Sequence, residues 1–161
     1  MGTFGPGQNG AVYISAKADY ALRALVTLAG SDRPMTADAL ARSQELPVNF
    51  LENILLQLRR SGLVGSQRGP DAGYRFRRPP SEITAADVMR AVDGPLAEVR
   101  GLRPEDTAYP AGTEVLQELW VALRASIRNV LETVTISQLA KGELPRRLRP
   151  LVADPDAWTA R

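Results

Sequence analysis

The 161-residue sequence contains neither cysteine nor histidine. Without thiols there is no disulfide, no cysteine nucleophile and no thiolate-held iron–sulfur cluster. Without imidazole there is no Ser-His-Asp triad, no His general base and no zinc finger. Catalysis would fall to Asp, Glu, Lys or Tyr alone. Long apolar runs are also missing: nothing approaches the roughly 18 consecutive residues of a membrane span. The first ten residues have no basic start followed by an apolar run, so they do not read as a signal peptide. A cytoplasmic protein that stays off the membrane is expected. Charge of one sign is scarce as well, with 20 Lys and Arg against 18 Asp and Glu, a net +2. What is present, 44% hydrophobic and 24% charged residues, is the composition of an ordinary globular chain. Its length suits one compact domain, or a small domain with an appended oligomerisation element.

The near-neutral total hides an uneven distribution. Between Arg59 and Arg78 six arginines (Arg59, Arg60, Arg68, Arg75, Arg77 and Arg78) face one acid, Asp71, for a local charge of +5. Arginine offers phosphate a fixed fork of donors, so such a segment suits a polyanion, although charge alone equally describes a solvated face.

Periodicity places the elements. Ser15 is a candidate N-cap for a helix over Ala16–Ala29, with Tyr20, Leu22, Leu25, Val26 and Leu28 on its apolar side. Thr36 caps a short helix from Ala37 to Ser43. After Gln44-Glu45-Leu46, Pro47 fits the first turn of a further helix running to about Ser61 and stopping at Gly62. Leu51, Ile54, Leu55 and Leu58 share one face of it, and Asn49, Glu52, Asn53, Leu56 and Arg60 the other. Two helices joined by a tight connector read as a helix-turn-helix. Next come two extended stretches, Leu63–Arg68 and Tyr74–Arg78, around the turn residues Gly69-Pro70-Asp71-Ala72-Gly73: a β-hairpin whose faces alternate aromatic and basic. A hairpin with an arginine-lined face directly after a helix-turn-helix is a wing.

Thr84 and Asp87 resemble a capping pair for a helix from Ala85 to Val92, closed by Gly94-Pro95. Residues 96–112 lack a period and read as a loop with a helical turn near Pro104. From Thr113 onward Leu116, Trp120, Leu123, Ile127, Val130 and Val134 alternate at spacings of four and three, the seam of a helix packed along a partner helix. The seam suits either the chain's own core or a second subunit. Thr135 and Gln138 are spaced as a capping box for a short helix over Ile136–Ala140. The expected organisation is a tail (1–12), a winged helix-turn-helix domain (13–95), a loop (96–112), a dimerisation helix with a short following helix (113–144) and a flexible tail (145–161). The fold class is mainly α with a small β-hairpin.

Specific blocks carry a resemblance. Tyr13-Ile14-Ser15-Ala16-Lys17-Ala18-Asp19-Tyr20-Ala21-Leu22, Phe50-Leu51-Glu52, Leu58–Val64 and above all Ser66-Gln67-Arg68-Gly69-Pro70-Asp71-Ala72-Gly73-Tyr74 resemble the iron–sulfur-cluster-regulator family, which includes nitrite-sensitive and cysteine-metabolism repressors. Ile83–Val92 with Asp93-Gly94-Pro95, Leu119-Trp120 and Thr135-Ile136 extend the match across nearly the whole chain. The resemblance implies a winged-helix homodimer held by crossed long helices and binding a partly palindromic operator in double-stranded DNA, most simply as a repressor. Two departures stand out. Ala72 replaces the usual wing-turn glycine. The loop where cluster-binding members place their cysteines reads Glu98 to Pro110 without a thiol, so the chain resembles a member with no cofactor and no metal.

On this reading Asn49 and Asn53 suit adenine edges and Glu52 the cytosine amino group, with Val48 and Phe50 beside them. By resemblance Arg68 reaches the minor groove, with Gly69 and Gly73 letting the wing come close and Tyr74 next to it. Ser15 and Lys17 suit phosphate at a helix N-terminus, and Arg59, Arg60 and Arg75 are general phosphate contacts. Loop 96–112 is placed to sense a signal, and three readings stay open: a small-molecule effector, a partner protein such as a cysteine-synthesis enzyme, or no ligand at all. Two rivals remain open: a protein–protein module of the same fold acting on an enzyme or sigma-type factor, and a small enzyme using Glu98, Glu105, Asp106 or Tyr109.

Overall fold

The structure, a computed structural model, describes residues 13–160; the expected N-terminal tail, residues 1–12, lies outside the described residues. Helix α1 (Ala16–Ala29) begins at Ser15, whose hydroxyl accepts from the Ala18 N–H at 2.9 Å. Its buried face is Ala18, Ala21, Ala24, Leu25 and Leu28, whereas Tyr20, Leu22 and Val26, expected on the apolar side, are only half-buried. The reason is its central position. Four helices pack on α1, and alanines let their backbones approach closely where larger side chains would hold them off.

Helix α2 (Ala37–Gln44) is capped by Thr36. It ends on Glu45 in the left-handed conformation (φ 53°), and the Leu46 N–H donates to the Ala41 carbonyl at 2.8 Å. This Schellman closure makes the tight helix-turn-helix corner and buries Leu46. Pro47 sits just before α3 (Val48–Arg60) rather than inside its first turn. Leu51, Ile54, Leu55 and Leu58 all enter the core, as their spacing predicts, and Gly62 (φ 76°) turns the chain out of the helix.

Strands β1 (Val64–Gln67) and β2 (Gly73–Phe76) pair antiparallel, with Val64 opposite Phe76 and Gln67 opposite Gly73. Gly73, expected in the turn, therefore belongs to the ladder. Met35 adds a bridge on the other side of Tyr74, with backbone hydrogen bonds of 3.1 and 2.7 Å. Helix α4 (Ala85–Asp93) starts with both halves of the capping box between Thr84 and Asp87.

The expected loop carries a 3-10 turn at Pro104–Asp106 and leads to α5 (Val115–Leu131), which has no buried residue. After α5 the chain returns to the N-terminal unit: Ala85 N–H donates to the Val134 carbonyl at 2.8 Å and Ile136 N–H to that of Ile83 at 2.9 Å. Ile136, at the start of α6 (Ile136–Ala140), is buried in the main core. Val134 packs with Ala85 and Leu148 in a second small core. It therefore leaves the dimer seam to which its spacing assigned it. The expected flexible tail is also structured, with 3-10 turns at Arg146–Leu148 and Pro155–Trp158 around α7 (Arg149–Ala153).

Candidate nucleic-acid interface

Because α3 spends four residues on the core, its opposite stripe is fixed in solvent: Asn49, Glu52, Asn53, Leu56, Arg59 and Arg60 are all exposed. The Tyr20 ring meets Phe50 edge-on at 5.6 Å, steadying the N-terminal end of α3 against α1. Gln57 Nε2 donates to Asn53 Oδ1 at 3.3 Å. Towards its C-terminal end the stripe faces the outer side of the hairpin. Leu56, Arg59 and Arg60 share an open groove of about 650 Å³ with Gly65, Arg75 and Arg77.

The arginines of this surface lack partners. Among the described residues Arg59, Arg60, Arg68, Arg75 and Arg77 make no ion pair. Arg78 differs: it lies 3.9 Å from Asp87 and donates to the Glu82 carbonyl at 2.8 Å, pinning the hairpin to α4. Four uncompensated guanidinium groups beside an exposed polar helix, with a fifth on the wing, form a field that favours a polyanion.

At the wing tip Arg68 is exposed beside Gly69 (φ 100°), where a Cβ would meet nothing within 4 Å. The tip is held by Ala72 N–H to Gly69 O at 3.0 Å and Gln67 Nε2 to Asp71 O at 2.7 Å. Gly73 has an internal duty: a Cβ there would lie 2.6 Å from the Met35 carbonyl carbon. Tyr74 and Val48 are half-buried against the core. The side chains of Ser15 and Lys17 are also occupied within the chain, the first donating to Asp93 and the second to the Val92 carbonyl at 2.7 Å. They tie α1 to the C-terminal end of α4, where a cation suits the helix dipole.

Helix α5 has two distinct faces. One is fastened to the loop: Gln117 Nε2 donates to the carbonyls of Glu105 and Thr107 at 2.9 and 2.8 Å. Trp120 Nε1 donates to the Tyr109 hydroxyl at 2.8 Å, and Arg124 pairs with Glu105. A backbone hydrogen bond, and then the hydrogen bond from Arg124, hold the Glu105 carboxyl below its ordinary value. The other face is apolar and uncovered, with Val115 65%, Leu119 52% and Val130 36% exposed. Leu119, absent from the expected seam, lies at its centre. Trp120 sits at the border because its indole is used by Tyr109. The spacing did not show this, since both residues are apolar and adjacent.

Residues 14–142 match the family described as Rrf2, iron-dependent transcriptional regulator. The chain belongs to the Rrf2 family. It is a DNA-binding transcriptional regulator with the winged-helix architecture, as the resemblance implies. A relative in Mycobacterium tuberculosis, Rv1287, bearing the name of an HTH-type transcriptional regulator, is 46% identical over 143 residues, covering 88% of this chain and 89% of its own length. The HTH-type regulator CymR of Bacillus subtilis is 33% identical over 129 residues, covering 79% of this chain and 88% of its own. The solved structure of that CymR, described as a global cysteine regulator, superposes with a TM-score of 0.69 at 30% identity, over 82% of this chain and 98% of its own.

These Rrf2 relatives are regulators, not enzymes, so the reading of Glu98, Glu105, Asp106 and Tyr109 as catalytic groups falls away. The iron in the family's description does not fit this chain's donors. Thiolate and imidazole are absent from the sequence, and among the described residues no three carboxylates come together as ligands. Also among the described residues, no helix is long and apolar enough to cross a membrane.

Proposed function

We propose that the chain is a cytoplasmic, chromosome-bound repressor that grips a partly palindromic operator as a homodimer, with no iron–sulfur cluster. The observation that carries this is the set of four arginines, Arg59, Arg60, Arg75 and Arg77, that line the groove beside the exposed stripe of α3 without an ion pair among the described residues. Helix α3 enters the major groove with Asn49, Glu52 and Asn53 towards base edges and Phe50 at the entry. Arg68 on its open wing tip reaches the minor groove, where narrow A·T tracts attract guanidinium groups. Arg59, Arg60 and Arg75 meet phosphates and set register rather than sequence.

The uncovered apolar face of α5 supports the homodimer. A helix of 17 residues with none buried takes little stability from the chain's own core, and pairing with the same face of a second copy buries Leu116, Leu119, Leu123, Ile127 and Val130. A dyad then places two α3 helices for half-sites about 34–36 Å apart, or a multiple of it.

The test is selection of bound duplexes from a fragmented genome, followed by gel-shift titration across salt concentrations. An enriched inverted repeat, bound with affinity that falls steeply with salt, is the expected result. Enrichment of no sequence would remove the operator reading.

A further inference from the structure

Away from the DNA-facing surface a second group of arginines converges. Arg90 comes from α4, Arg103 from the loop, and Arg124 and Arg128 from α5, where one turn of helix puts them on the same side. With Glu105 and the segment from Gly94 to Ala97 they line a cavity of about 470 Å³. This lies within the range of roughly 300–1,000 Å³ typical of small-ligand sites.

The charges there are only partly answered. Arg90 is held by Glu132 and Asp87, which fix its direction. Arg124 is drawn into the cavity wall, its side chain 14% exposed, and has Glu105 as its partner. A guanidinium carries five donors, and one carboxylate takes at most two. Arg103 and Arg128 make no ion pair among the described residues. Arg90 and Arg124 are thus answered by three carboxylates, whereas Arg103 and Arg128 bring two guanidinium charges to the cavity with no carboxylate of their own.

We propose that this cavity binds a small polyanion, a metabolite carrying two or more carboxylate or phosphate groups spaced to reach guanidinium groups from both the loop and α5. Its walls come from α4 of the DNA-binding unit, from the loop and from α5. An occupant would therefore fix the angle between the DNA-binding unit and the dimer helix, and with it the distance between the two copies of α3. This effector role rests on the dimeric, operator-binding reading above; the binding site itself does not.

The site is tested without DNA by titration calorimetry of the full chain at constant ionic strength, with citrate and pyrophosphate as separate probes. Saturable binding of one probe per chain is expected, weakened at least tenfold by Arg103→Ala and by Arg128→Gln and unchanged by Arg42→Ala on α2, which does not line the cavity. Preference for citrate assigns a carboxylate ligand; preference for pyrophosphate assigns a phosphate. Circular dichroism confirms that each variant is folded. No saturable binding of either probe, or binding that survives both cavity substitutions, overturns the site. The effector role is then read by gel shift on the selected operator. The bound probe should change affinity at least threefold in the unaltered chain and not in Arg103→Ala. Equal affinity with and without probe overturns that role, whatever the calorimetry shows.

Discussion

The backbone of Met35 occupies the space a side chain on Gly73 would need, 2.6 Å from a Cβ built there. The two residues lock the wing to the segment between α1 and α2, and Gly73 adopts φ 146°, where side chains are rarely accommodated. Gly73→Ala should therefore cost about 1–3 kcal/mol. Thermal unfolding should show Tm falling by roughly 2–4 °C per kcal/mol. An unchanged Tm would mean that the Met35 strand can move aside freely.

Leu119 and Val134 have opposite fates although both are apolar and lie near the long helix. Leu119 is 52% exposed and Val134 5%. An aspartate at Val134 would bury an unpaired carboxylate, at a cost of several kcal/mol, and should leave the chain unfolded by circular dichroism. Leu119→Asp with Leu123→Asp should leave it folded but monomeric in sedimentation. A dimer persisting in that double variant would rule out the α5 face as the seam.

Arg68→Ala should weaken operator binding about tenfold or more in gel-shift titration, consistent with about 1–3 kcal/mol for a good groove contact. Glu52→Ala should instead alter the preferred base at one position of each half-site, seen by repeating the selection. If both variants return the original operator at the original affinity, the orientation of α3 and the wing is wrong.

The Glu105 carboxyl, kept below its ordinary value by a backbone hydrogen bond and by Arg124, links loop to helix in a pH-dependent way. A carboxyl whose pKa is depressed by folding contributes its stabilisation above the unfolded value, and that contribution is lost as pH falls through the lower folded value. The loop–α5 contact should thus be complete above about pH 4.5 and loosen below it. Trp120 fluorescence, read in a Trp158→Phe background, reports the change through its bond to Tyr109. Glu105→Gln should abolish that low-pH step; an identical titration would place the step elsewhere.

Much of this protein is legible in residue order because the forces involved are local. Ser15, Thr36, Thr84 and Thr135 satisfy N–H groups three residues ahead of them. Leu51, Ile54, Leu55 and Leu58 fall on one face by helical geometry alone, and the turn from Gly69 to Gly73 brings two strands together. The absent cysteine and histidine are likewise final at the level of sequence, because no folding can supply a thiolate. What the sequence left open depends on contacts between distant segments, for which periodicity carries no signal. Tertiary structure buried Val134, left Leu119 exposed and gave Trp120 to Tyr109. It turned Lys17 and Gly73 inward, folded the residues after Pro145, and brought Arg90, Arg103, Arg124 and Arg128 to one cavity. Local hydrogen bonding and spacing decide which elements form; the buried surface they share decides which of their faces remain for DNA, for a partner and for a ligand.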